Sequence, residues 1–337
     1  MHIVPLDLAD TETVRACYEV RNAAAAEDDP FEQPVPLTVF RAGLTASWSG
    51  APREVWVVPA GQAGTVAAWY RIELPDLANV NRASLELVVH PSRRRGGLGT
   101  ALLRHAAGRA SAGGRGVLEG RVQEGSAGEA FARQAGAAFG LSVGRQLLDL
   151  ERIGAGKIKR LLDRAGEAAG GYSVMHWEGV TPDALLDQVA ALYEAHDDAP
   201  RGADVKAHRW NAQRVRERSD GRLTRSGGRR FSVAAVREDS GEMAALTEMM
   251  LGLGAPGWAF QAITAVTRAH RGRRLALLVR ASMLEWLTAA EPAAKRVVTW
   301  NAVSNKQVRA LNEQLGYENW GRPFHSVELA AASIAGD

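Results

Sequence analysis

Apolar and polar positions along the chain follow two rhythms. Residues 54–60 (EVWVVPA), 65–74 (TVAAWYRIEL) and 83–90 (ASLELVVH) are apolar, β-branched and aromatic, and predict strands. The turn GQAG makes the first two a hairpin. Apolar residues at helical spacing predict helices over 10–26, 98–112 and 126–139, the first capped by Asp10 or Thr11. A short strand in 1–10, a short helix after FEQPVPL, and strands at 116–123 and 145–151 complete an order β-α-α-β-β-β-α-β-α-β. The glycine-punctuated, charged stretch 152–170 reads as a linker helix.

The same order then starts again. Residues 172–179 predict a strand, and 181–198 a helix with Thr181 as cap and Pro182 at the first helical position. A second helix covers 211–221, and 229–238 with 242–251 form a hairpin across Asp239-Ser240-Gly241. A strand at 257–266, a helix, a strand at 295–302 and a helix at 304–317 follow. The halves superpose without gaps at their centres: Val89 precedes Arg94 by five residues, as Val266 precedes Arg271. The expected division is a domain at 1–152, a linker at 153–170 and a domain at 171–337.

A length of 337 residues suits two domains. Hydrophobic residues at 46% and charged residues at 23% describe an ordinary globular protein. Lys and Arg number 41 against 38 Asp and Glu, a balance that argues against nucleic acid as the main partner. No apolar run reaches eighteen residues, and MHIVPLDLAD lacks the marks of a secretion signal, so no membrane partner and a cytoplasmic location are expected. The single cysteine, Cys17, excludes an intrachain disulfide and a multi-cysteine zinc site, and reads as a buried small hydrophobe. The eight histidines show no metal spacing, so no metal is expected. Trp48, Trp56, Trp69 and Trp258 are expected in the core and in cleft walls.

The densest chemistry lies in VVHPSRRRGGLGTALL, which runs from strand through a basic, glycine-rich turn into a helix. A helix N-terminus offers unpaired N–H groups, glycines let the backbone wrap an anion, and arginines add charge. Arg94, Arg95, Gly96, Gly97, Leu98, Gly99 and Thr100 are therefore a candidate phosphate cradle. Neither the Gly-Lys-Ser/Thr of a Walker loop nor the dinucleotide G-x-G-x-x-G spacing is present.

This segment resembles motif A of the GNAT acyltransferase superfamily, in which Arg/Gln-x-x-Gly-x-Gly/Ala follows a central strand and binds the pyrophosphate of acetyl-CoA. Arg94, Gly97 and Gly99 fill that pattern. In the second half, Arg271, Arg274 and Ala276 fall over Arg94, Gly97 and Gly99, with Arg274 in place of the first glycine, and Gly272 is a further candidate for coenzyme binding. TWNAVSNKQVRALNEQLGY resembles the motif B region, with Asn305 opening the last helix. The whole chain resembles tandem-GNAT proteins of mycothiol synthase-like architecture. The resemblance implies a mixed α+β fold: two tandem GNAT folds, each a mixed central sheet with a splayed strand pair, flanked by helices. It also implies an N-acetyltransferase that uses acetyl-CoA as cosubstrate. Leu87, Val88 and Val89 would hold the pantetheine arm by their backbone, with an N–H near Val89 polarising the thioester carbonyl. Thr264 and Val266 are the counterparts in the second half. Many members place a tyrosine on the last helix to protonate the thiolate; here Ala132 and Asn312 stand at those positions.

Candidate catalytic residues are Glu86, a proton acceptor at the split or a salt-bridged carboxylate, and Glu248, whose place in an apolar strand demands a partner. Gln261 and Thr264 are expected to share a pocket with Glu248. Tyr70, His196-Asp197-Asp198 and His208 are weaker candidates, read as core or surface. The expected partner is a small-molecule amine acceptor, and the expected state a monomer or homodimer. A protein or peptide acceptor and a non-catalytic acyl-CoA-binding protein stand as alternatives.

Overall fold

A computed structural model of the chain describes residues 2–45, 51–61, 64–76, 79–196, 209–252 and 255–335. Trp48, Asp197, Asp198 and His208 lie outside the described residues. The elements run β1 (Val4–Pro5), α1 (Thr11–Asp28), α2 (Leu37–Thr45), β2 (Arg53–Pro59), β3 (Val66–Glu73), β4 (Arg82–Val89), α3 (Leu98–Ala112), β5 (Val117–Gln123), α4 (Ala127–Gln134) and β6 (Ala138–Asp149). They continue with α5 (Leu150–Ala168), β7 (Tyr172–Glu178), α6 (Leu186–His196), α7 (Ala212–Arg214), α8 (Gly221–Ser226), β8 (Arg229–Arg237), β9 (Met243–Leu251), β10 (Trp258–Val266), α9 (Leu275–Ala290), β11 (Arg296–Ala302), α10 (Lys306–Leu315), β12 (Glu318–Asn319), β13 (Phe324–Ala330) and α11 (Ala331–Ala335).

The described residues form two compact units, one from 2–143 with 321–335, the other from 144–196 with 209–320. These bounds differ from the contiguous division expected at 152 and 170. The last strand of the chain, β13, lies between β5 and β6 and pairs antiparallel with both, within the first unit. The stretch read as a linker helix is α5, kinked at Gly154. Its Ile153, Ile158, Leu161 and Ala165 join the core of the second unit with Leu277, Leu284 and Leu287 of α9. A helix that buries such a stripe is packed, not connecting.

In the first unit the sheet order is β1-β2-β3-β4-β5-β13-β6. Side chains alternate across it. Tyr70, Ile72 and Ala83 pack with Leu102, Ala106 and Ala110 of α3, while Trp69, Val55 and Val57 pack with Val14, Cys17 and Val20 of α1 and Phe40 of α2. Cys17 is enclosed, and burial pushes its thiol up to about 12, which fits a hydrophobe and not a nucleophile. Asp10 caps α1, accepting from the Glu12 and Thr13 N–H groups. In the second unit β7 to β11 form a sheet of order β11-β10-β9-β8-β7, with α5 and α9 on one face and α6 on the other. Thr181 is not a helix cap: its N–H and hydroxyl bind Asp220 instead, and a 3-10 turn at Asp183–Leu185 leads into α6. The helix expected at 211–221 is α7, a π-helical stretch over Val215–Asp220, and α8.

Each unit has one parallel strand pair that parts. β4 and β5 pair only from Arg82↔Val117 to Ser84↔Glu119, while β4 stays paired with β3 up to Val89↔Ala68. β10 and β11 pair only from Trp258↔Arg296 to Phe260↔Val298. Both strand pairs therefore leave one backbone edge of the longer strand open over its last residues.

Candidate functional site

The open edge of β4 can be oriented from one bond. The His90 N–H donates to Ala67 O on β3 at 3.0 Å. Backbone groups alternate along a strand, so the Leu87 and Val89 N–H groups face away from β3, into the split. The Val89 carbonyl faces the same way and accepts from Arg94 Nε at 3.4 Å.

The turn that follows is a 3-10 step over Pro91–Arg93 and two left-handed residues, Arg95 (φ 66) and Gly97 (φ 79), which precede α3. This geometry leaves the N–H groups of Arg95, Gly96, Gly97, Leu98, Gly99 and Thr100 without an acceptor among the described residues. Space beyond Gly97 is open where a Cβ would stand, and Arg93 and Arg95 are exposed beside it. Arg94 itself is turned inward. Its guanidinium pairs with Asp28 at 2.6 Å and Glu27 at 2.9 Å at the end of α1. Its side chain therefore braces the cradle, while the backbone supplies the donors.

The second unit repeats this turn. A 3-10 step at Arg268–His270 is followed by left-handed Gly272 (φ 83) and Arg274 (φ 53), then α9. Arg271 Nε donates to Val266 O at 3.3 Å, the counterpart of the Arg94–Val89 bond. The glycine and arginine have exchanged places between the two left-handed positions: Arg95 and Gly97 in one unit, Gly272 and Arg274 in the other. Arg274 thus keeps the cradle's backbone shape at the cost of a non-glycine left-handed residue. The Gly272, Arg273, Arg274, Leu275 and Ala276 N–H groups likewise have no acceptor among the described residues. Asn305 Oδ1 is a helix cap, accepting from the Val308 N–H at 3.2 Å.

Two carboxylate clusters lie on the sheet faces away from α3 and α9. In the first unit Glu86 is salt-bridged to Arg71 at 2.6 Å, and Arg82 is shared by Glu119 at 2.9 Å and by Glu328 of β13. All three carboxylates are about one-third exposed (36–38%). Arg82, Glu119 and Glu328 were not legible as a site, because Glu328 is 246 residues from Arg82. In the second unit Glu248 is buried and accepts from Tyr193 Oη at 2.8 Å, with Arg230 Nη1 at 3.6 Å. Arg230 also binds Asp220 at 2.5 Å and Ser219 at 2.7 Å. Burial and the Glu248 charge push the Tyr193 hydroxyl well above its ordinary range, so it remains a donor. Gln261 and Thr264 do not share that pocket. Thr264 bonds Thr247 at 2.9 Å and Gln261 Nε2 bonds Thr247 at 3.0 Å, on the α9 face, because Thr247 and Glu248 alternate across the sheet. Tyr70 is enclosed, its hydroxyl 2.6 Å from His105 Nδ1. Asn312, at the position of the family tyrosine, is buried with Nδ2 on Gln146.

Residues 18–128 match the model of the GNAT acetyltransferase family. No curated protein matches the chain in sequence. Along the full length, the chain resembles a tandem GNAT protein from the clavulanic acid biosynthesis pathway, with TM-score 0.82, 29% identity and 98% of each chain covered. It also resembles a GCN5-related N-acetyltransferase from Sphaerobacter thermophilus (TM-score 0.66, 20% identity, 98% of this chain and 95% of that one). A glucosamine N-acetyltransferase region of a fungal multi-domain enzyme matches with TM-score 0.67 at 14% identity, over 97% of this chain and 38% of that one. The last two likenesses speak for the fold alone. Residues 18–128 are thus a match to the GNAT acetyltransferase family within the first unit, and along its whole length the chain is similar to a tandem GNAT protein, with a mixed sheet flanked by helices in each unit.

Proposed function

We propose that the chain transfers the acetyl group of acetyl-CoA to the amine of a small-molecule acceptor, with the coenzyme held by the first unit. One observation carries this reading: six consecutive N–H groups, Arg95 to Thr100, have no acceptor among the described residues and follow a strand edge that opens into the split. Such a turn fits a pyrophosphate, and the Leu87 and Val89 edge fits the amides of a pantetheine arm. The coenzyme, when bound, supplies an activated acyl thioester.

The chain's own groups then have distinct tasks. The Val89 N–H is a donor for a carbonyl oxygen on which charge grows during attack. Arg82 balances only one of Glu119 and Glu328, so these three side chains together carry one net negative charge on the face opposite α3. That charge favours a cationic amine, and Glu86, partly exposed there, is the candidate to accept its proton. Ala132 offers no proton to the departing thiolate, which leaves readily without one. Glu248 is enclosed between Tyr193 and Arg230, whereas Glu86, though paired with Arg71, is about one-third exposed and can meet an acceptor, which supports the first unit as the site of transfer.

Calorimetry with acetyl-CoA on the intact chain and on Gly97→Glu tests the cradle. The substitution puts a carboxylate on the helix N-terminus at a left-handed position. Loss of a single site supports the first unit as sole holder, and a fall from two sites to one means both units bind. A single site that survives moves the coenzyme to the second unit and sinks this reading. Free-thiol release with a panel of small primary amines then tests the acceptor. Turnover with peptides alone replaces the small-molecule acceptor, and no turnover leaves a binding protein.

A further inference from the structure

The second unit encloses a positive charge that pairs with no carboxylate among the described residues. Arg280 on α9 is 2% exposed. Its Nη1 reaches Thr264 Oγ1 at 3.5 Å, its guanidinium lies 5.2 Å from the ring centroid of Tyr317, and its Nη2 is enclosed without a partner among the described residues. Arg230 in the same unit shows the contrast, with Asp220 at 2.5 Å and Glu248 at 3.6 Å. Enclosing an arginine away from water is unfavourable unless an anion meets it.

The fold itself does not ask for this arginine. Counting from the left-handed residue before each helix, Arg280 of α9 corresponds to Leu103 of α3, a buried apolar residue. Tyr317 follows left-handed Gly316 as Ala137 follows left-handed Gly136. A leucine and an alanine in one repeat are thus an arginine and a tyrosine in the other. The pair sits beside the second split. Thr264 lies beyond Phe260↔Val298, the last pair between β10 and β11. A further atom of this polar floor, Gln261 Oε1, is enclosed and unpartnered among the described residues, while the Tyr317 hydroxyl is turned towards the Arg280 guanidinium.

We propose that Arg280 binds an oxyanion group, of the kind a carboxylate or a phosphate ester presents, on a small molecule held in the split of the second unit. The anion takes the unpartnered Nη2, and the Tyr317 and Thr264 hydroxyls flank it. This subsite is distinct from the turn at Arg271–Arg274, because Arg280 stands six residues inside the helix from Arg274. The proposal rests on reading the splits as ligand sites, which the Gly97→Glu experiment tests separately in the first unit.

The test uses the full chain as wild type, Arg280→Leu and Arg280→Lys. Thermal unfolding and calorimetry are read with sodium phosphate, sodium succinate and coenzyme A, against sodium chloride at equal ionic strength. Without added anion, Arg280→Leu is expected to unfold at or above the wild-type temperature, since an uncompensated charge is gone. Wild type should gain stability with at least one oxyanion, and Arg280→Leu should bind it roughly tenfold or more weakly, as for loss of one charged hydrogen bond. Arg280→Lys should retain part of the response, which keeps the test alive if the leucine variant folds poorly. A lost succinate response with coenzyme binding intact assigns the anion to a free acid. Loss of coenzyme binding with no succinate response assigns it to the coenzyme's own phosphates. If wild type responds to none of the three, or all variants respond alike, the proposal is overturned and Arg280 is a packing residue.

Discussion

Arg94 binds in two directions at once, to the Val89 carbonyl and to the Asp28 and Glu27 carboxylates. Arg94→Ala should therefore raise the KM for acetyl-CoA several-fold with a smaller change in kcat, because the backbone donors remain but are held less firmly. The partly exposed pairs limit the stability loss to about 1 kcal/mol, read as a shift in urea midpoint. Tyr193→Phe tests the other cluster. It removes the donor to buried Glu248, and should cost about 1–3 kcal/mol by leaving an acceptor unpaired; the coenzyme binding proposed for the first unit should be unchanged. A pH dependence belongs to His105. Burial and the Arg109 charge hold it below its ordinary value of 6.5, against the smaller opposing effect of Glu54, with the Tyr70 hydroxyl on Nδ1 and the Trp56 ring on its edge. The folded state thus prefers the neutral ring. Its contribution is present above the unfolded value and is lost as pH falls through the lower folded one. His105→Gln should flatten the fall in unfolding temperature below pH 6.5, and an unchanged slope would remove His105 as the cause.

At the scale of elements, the strand split and the packed α5 make opposite demands. Gly120 on β5 sits where β4 departs, and a Cβ there would lie 3.2 Å from the Leu85 carbonyl. β4 has no pair with β5 beyond Ser84↔Glu119, so its free end can shift. Gly120→Val is expected to weaken acetyl-CoA binding more than it lowers the unfolding midpoint, since the shift changes the width of the split. α5 cannot yield in that way. Leu161 is 6% exposed within the second core, and Leu161→Ala should cost about 2–5 kcal/mol in denaturant unfolding. A loss below about 1 kcal/mol would return α5 to the role of a connecting helix. Periodicity located α5 as a helix, but amphipathic spacing alone does not say which core receives the apolar stripe.

At the scale of the whole molecule, the last strand of the chain completes the sheet of the first unit. β13 supplies antiparallel partners to both β5 and β6 in the first unit. A chain ending at residue 320 would leave two open strand edges there. It should aggregate or bind a hydrophobic dye and lose the coenzyme binding proposed for the first unit, by gel filtration and fluorescence. Retention of a folded, coenzyme-binding first unit would mean that β5 and β6 close without it.

Local information was enough for the strands from 54 to 90, the helix over 98–112, the repeat, and the shape of the turn at 94–100. In each, the determinant is short-range: side-chain alternation, capping, a left-handed glycine, and donors at a helix start. The equivalence of Val89–Arg94 and Val266–Arg271 was likewise a matter of spacing, and the same bond closes both turns. What the tertiary structure decided is pairing over distance. It brought Asp28 to Arg94, Glu328 to Arg82, Arg230 to Glu248 and Tyr317 to Arg280, and it set Glu248 and Gln261 on opposite faces of one sheet. A charge needs a partner wherever it is buried, but nothing in its own segment says which residue folding will bring to it.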